Sequence, residues 1–187
     1  MTKQDSPFEE TIEEIPGGGI LLHSARLVLR PCRAADSEFL HHLWTRPEVR
    51  QYLWDGRVIE RSVVEALVAE SRQTFQRRGF GLWLVHLRDE GMDIGFCFLK
   101  EKDEAGQAEL LYGLLPEYWG KGLAFEAAQR AVRHGLEEAG LSRILAGADA
   151  ANVRSLRLIE RLDMILDHEE PGERDCPVKF FVAHDRI

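Results

Sequence analysis

The stretch "PEYWGKGLAFEA", residues 116–127, places Gly120 and Gly122 on either side of Lys121, between an apolar run and an alanine-rich segment. This pattern predicts a strand that ends near Leu115 and a helix that begins near Lys121. Free N–H groups at the start of a helix bind anions, and glycine lets a ligand approach the backbone without a Cβ in the way. The stretch therefore predicts a phosphate site. The alternative is that the glycines only ease the turn from strand to helix.

Strands and helices alternate on both sides of this stretch. Three β-rich runs before it, separated by turn-forming residues, predict an antiparallel meander. Further upstream, "ILLHSARLVLRP" predicts the first strand, and two short helices and a longer helix ending before Gly79 follow it. Downstream, a stripe of small residues predicts a helix as far as Gly140, and then come a strand, a helix and two closing strands. This order predicts a mixed sheet flanked by helices in an α+β (α/β-like) domain.

The chain of 187 residues has the length of one globular domain. Residues 1–19 are charged or rich in glycine and predict a flexible arm, and residues 20–187 predict the domain itself. The start of the chain is polar and acidic, and no apolar run has the length of a membrane span. We therefore expect a cytoplasmic protein that makes no contact with membranes.

Charge and composition exclude several classes of function. Lys and Arg number 24 against 32 Asp and Glu, so the net charge of −8 disfavours nucleic acid and favours a cationic substrate. The three cysteines share no short spacing, and the seven histidines show no metal-binding pattern such as H-E-x-x-H. We expect neither a disulfide framework nor a metal site.

Four segments in order resemble the GNAT superfamily of acyl-coenzyme-A-dependent N-acyltransferases. They are "SARLVLRPCRAADSEFLHHLWTRPEVRQYL", "GFCFLK", "LLYGLLPEYWGKGLAFEA" and "ADAANVRSLRLIERLDM", and they resemble the branch that contains ribosomal-protein N-terminal acetyltransferases. The family's pyrophosphate loop, Q/R-x-x-G-x-G/A, corresponds here to the segment from Glu117 to Gly122. The likeness covers about Ala25 to His184. Glu117 departs from the pattern, because it brings a negative charge where the family usually has Gln or Arg.

The resemblance implies a mixed, splayed sheet of six to seven strands with acetyl-CoA wedged where two strands separate. It implies that backbone amides of the glycine turn hold the pyrophosphate, that the strand before the turn pairs with the pantetheine arm, and that an asparagine contacts the coenzyme from the other side. The residues implied for the coenzyme are Leu114, Leu115, Trp119, Gly120, Lys121, Gly122, Leu123, Ala124 and Asn152.

Two residues are candidates for the chemistry. Glu109 lies early on the strand expected to carry the thioester, and it resembles the acidic residue that many family members use as a base, often through water. Ser155 interrupts the apolar stripe of a predicted helix, and the resemblance implies that it protonates or hydrogen-bonds the departing sulfur. Many relatives use a tyrosine four residues later, where this chain has Ile159. The alternatives are an exposed strand-end carboxylate, a serine bonded to a helix carbonyl, and Asn152 as an ordinary N-cap.

Trp54 and Trp83 are candidates for the walls of an amine pocket, with a place in the core as the alternative. Together these features predict an N-acetyltransferase that moves an acetyl group directly from acetyl-CoA to a primary amine, without a metal. The acceptor is either a protein N-terminal α-amine or a small-molecule amine, and the protein is a monomer or a homodimer. The alternatives are a non-catalytic acyl-CoA sensor on the same fold and a phosphate-binding nucleotide module.

Overall fold

The computed structural model describes residues 11–16, 19–103, 106–172 and 176–184. Within them, one sheet of nine strands runs in the order β1-β2-β3-β4-β5-β6-β7-β9-β8. The strands are β1 (Ile12–Ile15), β2 (Gly19–His23), β3 (Leu27–Pro31), β4 (Leu82–Leu87), β5 (Met92–Glu101), β6 (Gln107–Leu114), β7 (Arg143–Asp149), β8 (Ile165–Glu170) and β9 (Val178–His184). The helices are α1 (Ser37–Thr45), α2 (Pro47–Arg50), α3 (Arg61–Arg78), α4 (Leu123–Arg133) and α5 (Val153–Arg161). The predicted single mixed sheet flanked by helices is confirmed.

The sheet has nine strands rather than the six to seven expected. The run predicted as one first strand divides at Ser24, whose N–H donates to the carbonyl of Leu27 at 3.0 Å, and so forms the hairpin of β2 and β3. The prediction missed this turn because apolar residues continue on both sides of it without glycine or proline. Residues Ile12–Ile15 of the expected arm pair with β2 as a mostly exposed edge strand. Residues 1–10, 17 and 18 lie outside the described residues.

Helix α3 ends as predicted at Gly79, which has a left-handed φ of 74°. Helix α4 begins at Leu123, two residues later than expected, and a π-helical turn over His134–Glu138 continues it towards Gly140. The sheet separates two apolar clusters. One packs under α4 and α5, and the other packs under α1 and α3. The central strands β4 and β5 are therefore covered on both faces.

The sheet opens between β6 and β7, its one parallel pair of neighbours. Pairing there is limited to three residue pairs, which join Gln107–Glu109 to Arg143–Leu145. Beyond these pairs β6 continues to Leu114 and β7 to Asp149, and the two strands diverge. The splay expected from the resemblance is therefore present, and it leaves a cleft in the middle of the sheet.

Candidate active site

The cleft has a volume of about 1090 Å³. Its walls are the diverging ends of β6 and β7, the glycine turn with the start of α4, one face of α5, and the segment 48–53 after α1. The gap between the strands is therefore open on two sides. One side is bounded by α4 and α5, and the other side is bounded by the segment that contains α2.

The glycine turn has the conformation that its sequence requires. Gly120 and Gly122 have φ of 74° and 76°, which are left-handed values that disfavour other residues. A Cβ added at Gly120 would have no heavy atom within 4 Å, so the space beside this backbone is open. Gly122 is the N-cap of α4, whose first four N–H groups have no partner within the helix. The turn thus offers exposed backbone at the positive end of a helix dipole.

Trp119 is the first of the residues whose backbone amides were expected to hold the pyrophosphate, and its N–H is already engaged. The N–H of Trp119 donates to the carbonyl of Pro116 at 3.1 Å, which closes a short turn before the glycines. The Trp119 indole instead anchors the turn, because its Nε1 donates to the carbonyl of Leu114 at 2.8 Å. Lys121 is exposed, and its Nζ lies 4.9 Å from the ring centre of Tyr118.

Helix α4 is fixed to the β2–β3 turn by Glu126 in its first turn. The Glu126 carboxylate accepts hydrogen bonds from the Ser24 hydroxyl at 2.8 Å, and from the Arg26 N–H and Nε at 2.8 and 2.7 Å. Arg26 also donates to the carbonyl of Lys121 at 3.0 Å. This clamp holds the glycine turn in place before any ligand binds. Sequence reasoning missed it because the partners lie about 100 residues apart.

Backbone alternation decides which residues of β6 face the cleft. The N–H of Leu115 donates to the carbonyl of Ile94 at 2.8 Å, so the predicted contact of Leu115 with the coenzyme is wrong. Leu114 stands opposite Gly95, between the hydrogen-bonded pairs of this antiparallel ladder. Its backbone N–H therefore points away from β5 and towards the cleft, whereas its C=O accepts the hydrogen bond from the Trp119 indole. The contact of Leu114 with the coenzyme stays a prediction.

Glu117, the departure from the family pattern, is paired with a cation. Its carboxylate accepts a hydrogen bond from Arg46 at 2.9 Å, and it lies outside the cleft lining. Hydrogen bonding to its own backbone N–H and to Arg46 lowers the pKa of Glu117. The extra negative charge is therefore offset by Arg46, in the link between α1 and α2.

Asn152 and Ser155 lie on the opposite wall, at the start of α5. The Oδ1 of Asn152 accepts from the Ser155 N–H at 3.2 Å, which confirms the N-cap interpretation. The Ser155 Oγ lies 2.7 Å from the Tyr112 hydroxyl on β6. Among the described residues this is the hydrogen bond that the Ser155 hydroxyl makes, and the alternative of a bond to a helix carbonyl is not observed. Ile159 is fully buried beneath it.

Sequence reasoning did not single out Tyr112. Burial raises the pKa of its phenol to about 12, although the hydrogen bond with Ser155 acts in the opposite direction. The phenol is therefore neutral and protonated at physiological pH. Its place two residues before Leu114, on the same face of β6, is the one signal that could have drawn attention to it.

Glu109 lies at the last residue pair of β6 and β7, opposite Leu145, where the cleft begins. Its carboxylate is about one quarter exposed and lies 3.5 Å from the Nζ of Lys102. Alternation along β6 places Glu109 and Tyr112 on opposite faces of the strand. Glu109 therefore lines the cleft and is neither fully exposed nor at the end of β6, and its role as the base stays a prediction.

The two tryptophans differ from expectation. Trp83 is fully buried in β4, its Nε1 donates to the Ile20 carbonyl at 2.8 Å, and its ring packs edge-on against Phe75. Its predicted substrate contact is wrong, because both faces of the central sheet are covered. Trp54 packs against Trp44 at 5.4 Å between ring centres, next to the cleft-lining segment but outside the lining itself. Trp54 and Asp55 both have left-handed φ, of 58° and 56°, which is uncommon for residues with a side chain.

Three exposed arginines of α5 form a cationic edge along the cleft, and we call Arg154, Arg157 and Arg161 the arginine row. The Arg154 guanidinium lies 5.2 Å from the Trp119 ring centre, and that of Arg161 lies 4.1 Å from the ring centre of Phe125. Among the described residues, no carboxylate lies within 4.0 Å of these guanidinium groups. The arginine row therefore crosses from α5 to the glycine turn and favours an anionic ligand there.

In the part of the chain that the structure describes, no cluster of His, Cys, Asp and Glu side chains could hold a metal ion. Each described helix is too short or too polar to cross a bilayer.

Comparison with known proteins gives one consistent result. Residues 26–165 match the family model for the acetyltransferase (GNAT) domain. The chain is 27% identical to the uncharacterized N-acetyltransferase p20 of Bacillus licheniformis, over 86% of this chain and 93% of that protein. Among solved structures, the spermidine N-acetyltransferase of Vibrio cholerae in complex with CoA and spermine has a TM-score of 0.73 and 20% identity over 87% and 97% of the two chains. The ribosomal L7/L12 α-N-protein acetyltransferase RimL in complex with coenzyme A has a TM-score of 0.72 and 18% identity over 86% and 95%.

Proposed function

This chain belongs to the GNAT acetyltransferase family and uses acetyl-CoA, and from that premise we propose that it moves the acetyl group directly to a primary amine inside the cleft. The observation that carries the proposal is the opening between β6 and β7, with the glycine turn on one side and Ser155 on the other. The acceptor is a protein N-terminal α-amine or a small-molecule amine.

The chain's own residues fit the donor. We assign the pyrophosphate to the amides from Gly120 to Ala124, where the space that a Cβ would fill is open and the helix dipole is positive. The Leu114 N–H, which faces the cleft, would donate to the pantetheine arm, and Asn152 would contact the arm from α5. The arginine row suits the remaining charged group of the coenzyme, its 3′-phosphate, because guanidinium groups bind phosphate through paired hydrogen bonds.

Each predicted catalytic residue has a role in this arrangement. The amine nitrogen attacks the thioester carbonyl, the C–N bond forms, and the C–S bond breaks with its electron pair on sulfur. Glu109 accepts the proton that the amine loses, directly or through water. The Ser155 hydroxyl hydrogen-bonds to the sulfur as negative charge develops on it. An α-amine with a reference pKa of about 7.7–8.0 is already partly neutral at physiological pH, whereas lysine at about 10.4 needs the base more.

The acceptor side of the cleft carries two carboxylates, those of Glu48 and Glu109. Glu48 lies 3.8 Å from Arg46 and Glu109 lies 3.5 Å from Lys102, within a chain whose net charge is −8. A cationic acceptor is therefore favoured over a neutral or anionic amine. Polyamines and the basic N-termini of proteins both meet this requirement. We propose a cytoplasmic enzyme, where acetyl-CoA is available, acting as a monomer or a homodimer.

An acetyl-CoA turnover assay tests this function. Free thiol is measured with a panel of short peptides bearing different N-termini, polyamines and aminoglycosides, and Ser155→Ala is the matched variant. We expect thiol release with one class of amine, with the acetylated product confirmed by mass, and a much lower rate for the variant. A protein that releases no thiol with any amine would contradict the proposal, and if it still bound coenzyme A the result would favour the acyl-CoA sensor.

A further inference from the structure

The hydrogen bond between Tyr112 and Ser155 joins the two walls of the cleft. Tyr112 belongs to β6 and Ser155 to α5, and the bond of 2.7 Å spans the place where β6 and β7 have already separated. Tyr112 packs against the apolar cluster under α4, so its ring position is set by the core. A buried polar contact across an otherwise open cleft is costly unless both groups are satisfied, and here each hydroxyl satisfies the other.

The geometry allows either hydroxyl to donate, and the Tyr112 hydroxyl also lies 3.5 Å from the Ser155 carbonyl oxygen. We assign the donor role to Tyr112 and the acceptor role to the Ser155 Oγ, because a phenol is a stronger proton donor than an aliphatic alcohol. Burial raises the pKa of Tyr112 to about 12, which keeps this donor protonated throughout the neutral range. The proton of Ser155 is then free to bond to a second acceptor. Donation from Tyr112 also strengthens the hydrogen bond that Ser155 itself can give.

The backbone of Ser155 is already fixed, because its N–H donates to Asn152. Rotation about χ1 then places the Oγ, and rotation about the Cβ–Oγ bond orients its proton. A serine in a helix commonly turns its hydroxyl to the carbonyl four residues earlier. The bond to Tyr112 holds Oγ away from that position. We propose that Tyr112 is a positioning residue, which fixes Ser155 so that its proton points to the sulfur of the departing coenzyme. This inference rests on the proposed function.

A double-mutant cycle tests the inference. Tyr112→Phe removes one hydroxyl and keeps the ring, and it should lower kcat by about tenfold or more, with the KM for acetyl-CoA unchanged within about twofold. Ser155→Ala should lower kcat by a larger factor, about a hundredfold. Because Tyr112 acts only through Ser155, the double variant should be no slower than Ser155→Ala. The matched control is Thr74→Val on α3, which removes a hydroxyl that donates to the Glu70 carbonyl at 3.2 Å and lies outside the cleft lining, and its kcat should be unchanged.

Each other outcome overturns the role. Tyr112→Phe with a lowered melting temperature and an unchanged kcat would make the hydrogen bond merely structural. Multiplicative losses in the double variant would mean that Tyr112 acts on the substrate by itself. A wild-type protein that binds coenzyme A but releases no thiol with any amine would refute the proposed function, and with it any role of Tyr112 in transfer.

Discussion

Substitution of Gly120 by alanine separates the conformational role of the glycine turn from its proposed role in binding. The residue has φ of 74°, and an added Cβ would meet no heavy atom within 4 Å. The cost to the folded protein is therefore backbone strain alone, about 1–2 kcal/mol. For a chain of 187 residues this corresponds to a fall in melting temperature of about 2–8 °C. The space entered by the Cβ is the space assigned to a phosphate, so the Kd for coenzyme A should rise about tenfold, or 1.4 kcal/mol.

Gly140 provides the matched control, because it has φ of 69° and likewise no heavy atom within 4 Å of an added Cβ. It follows the far end of the same helical segment. Gly140→Ala should lower the melting temperature by a similar amount and leave coenzyme affinity unchanged, as measured by thermal denaturation and titration calorimetry. Equal Kd values for the two folded variants would refute the binding role of the turn. An unchanged melting temperature in both would refute the strain argument.

Three further predictions concern the proposed base, the arginine row and the loss of stability at acid pH. Glu109→Gln should lower kcat by about a hundredfold at unchanged coenzyme affinity, because an amide cannot take the amine's proton; an unaltered rate of thiol release would remove Glu109 as the base. Arg161→Gln should reduce the preference for coenzyme A over its 3′-dephospho form by about tenfold in calorimetry, whereas Arg72→Gln on α3 should not; equal losses for both ligands would contradict a 3′-phosphate contact. Burial alone would raise the pKa of Asp36, but hydrogen bonds from Arg30 lower it overall. The Asp36 carboxylate therefore stabilises the fold above its unfolded pKa of about 3.9, and this contribution is lost as the pH falls through the folded pKa. The Asp36→Asn variant should therefore unfold at a lower urea concentration at neutral pH, and its free energy of unfolding should depend less on pH below about 4. The same pH dependence of unfolding as in the wild type at acid pH would contradict this assignment.

Features that depend on local sequence were predictable. The meander of β4 to β6, helix α3 with its end at Gly79, and the glycine turn before α4 all follow from apolar period and from glycine. These signals lie within a few residues of the structure they specify. The β2–β3 turn was not predictable in this way, because Ser24 forms it without the residues that usually mark a turn.

Features that depend on pairing across the sheet were not predictable. Leu114 and Leu115 are the same residue type at adjacent positions, and only the register against β5 shows that the Leu115 N–H donates to the Ile94 carbonyl. Trp83 looked like a pocket wall because its burial depends on helices from both sides of the sheet. The contact of Tyr112 with Ser155 was not predictable, because the packing of α5 against β6 brings the two hydroxyl oxygens within 2.7 Å. Register and packing, not residue type, decide each of these cases.

The register of β6 links these parts of the site. Pairing with β7 ends at Glu109, so the carboxylate stands where the cleft begins, and alternation then turns the backbone of Leu114 to the cleft. The side chain of Tyr112 points to the α4 face, where α5 supplies Ser155. A slip of one residue would exchange the faces of all these groups at once. The proposed base, the proposed coenzyme contact and the phenol proposed to position Ser155 are therefore placed by a single register, and this register is fixed by the seven residue pairs that join β5 to β6.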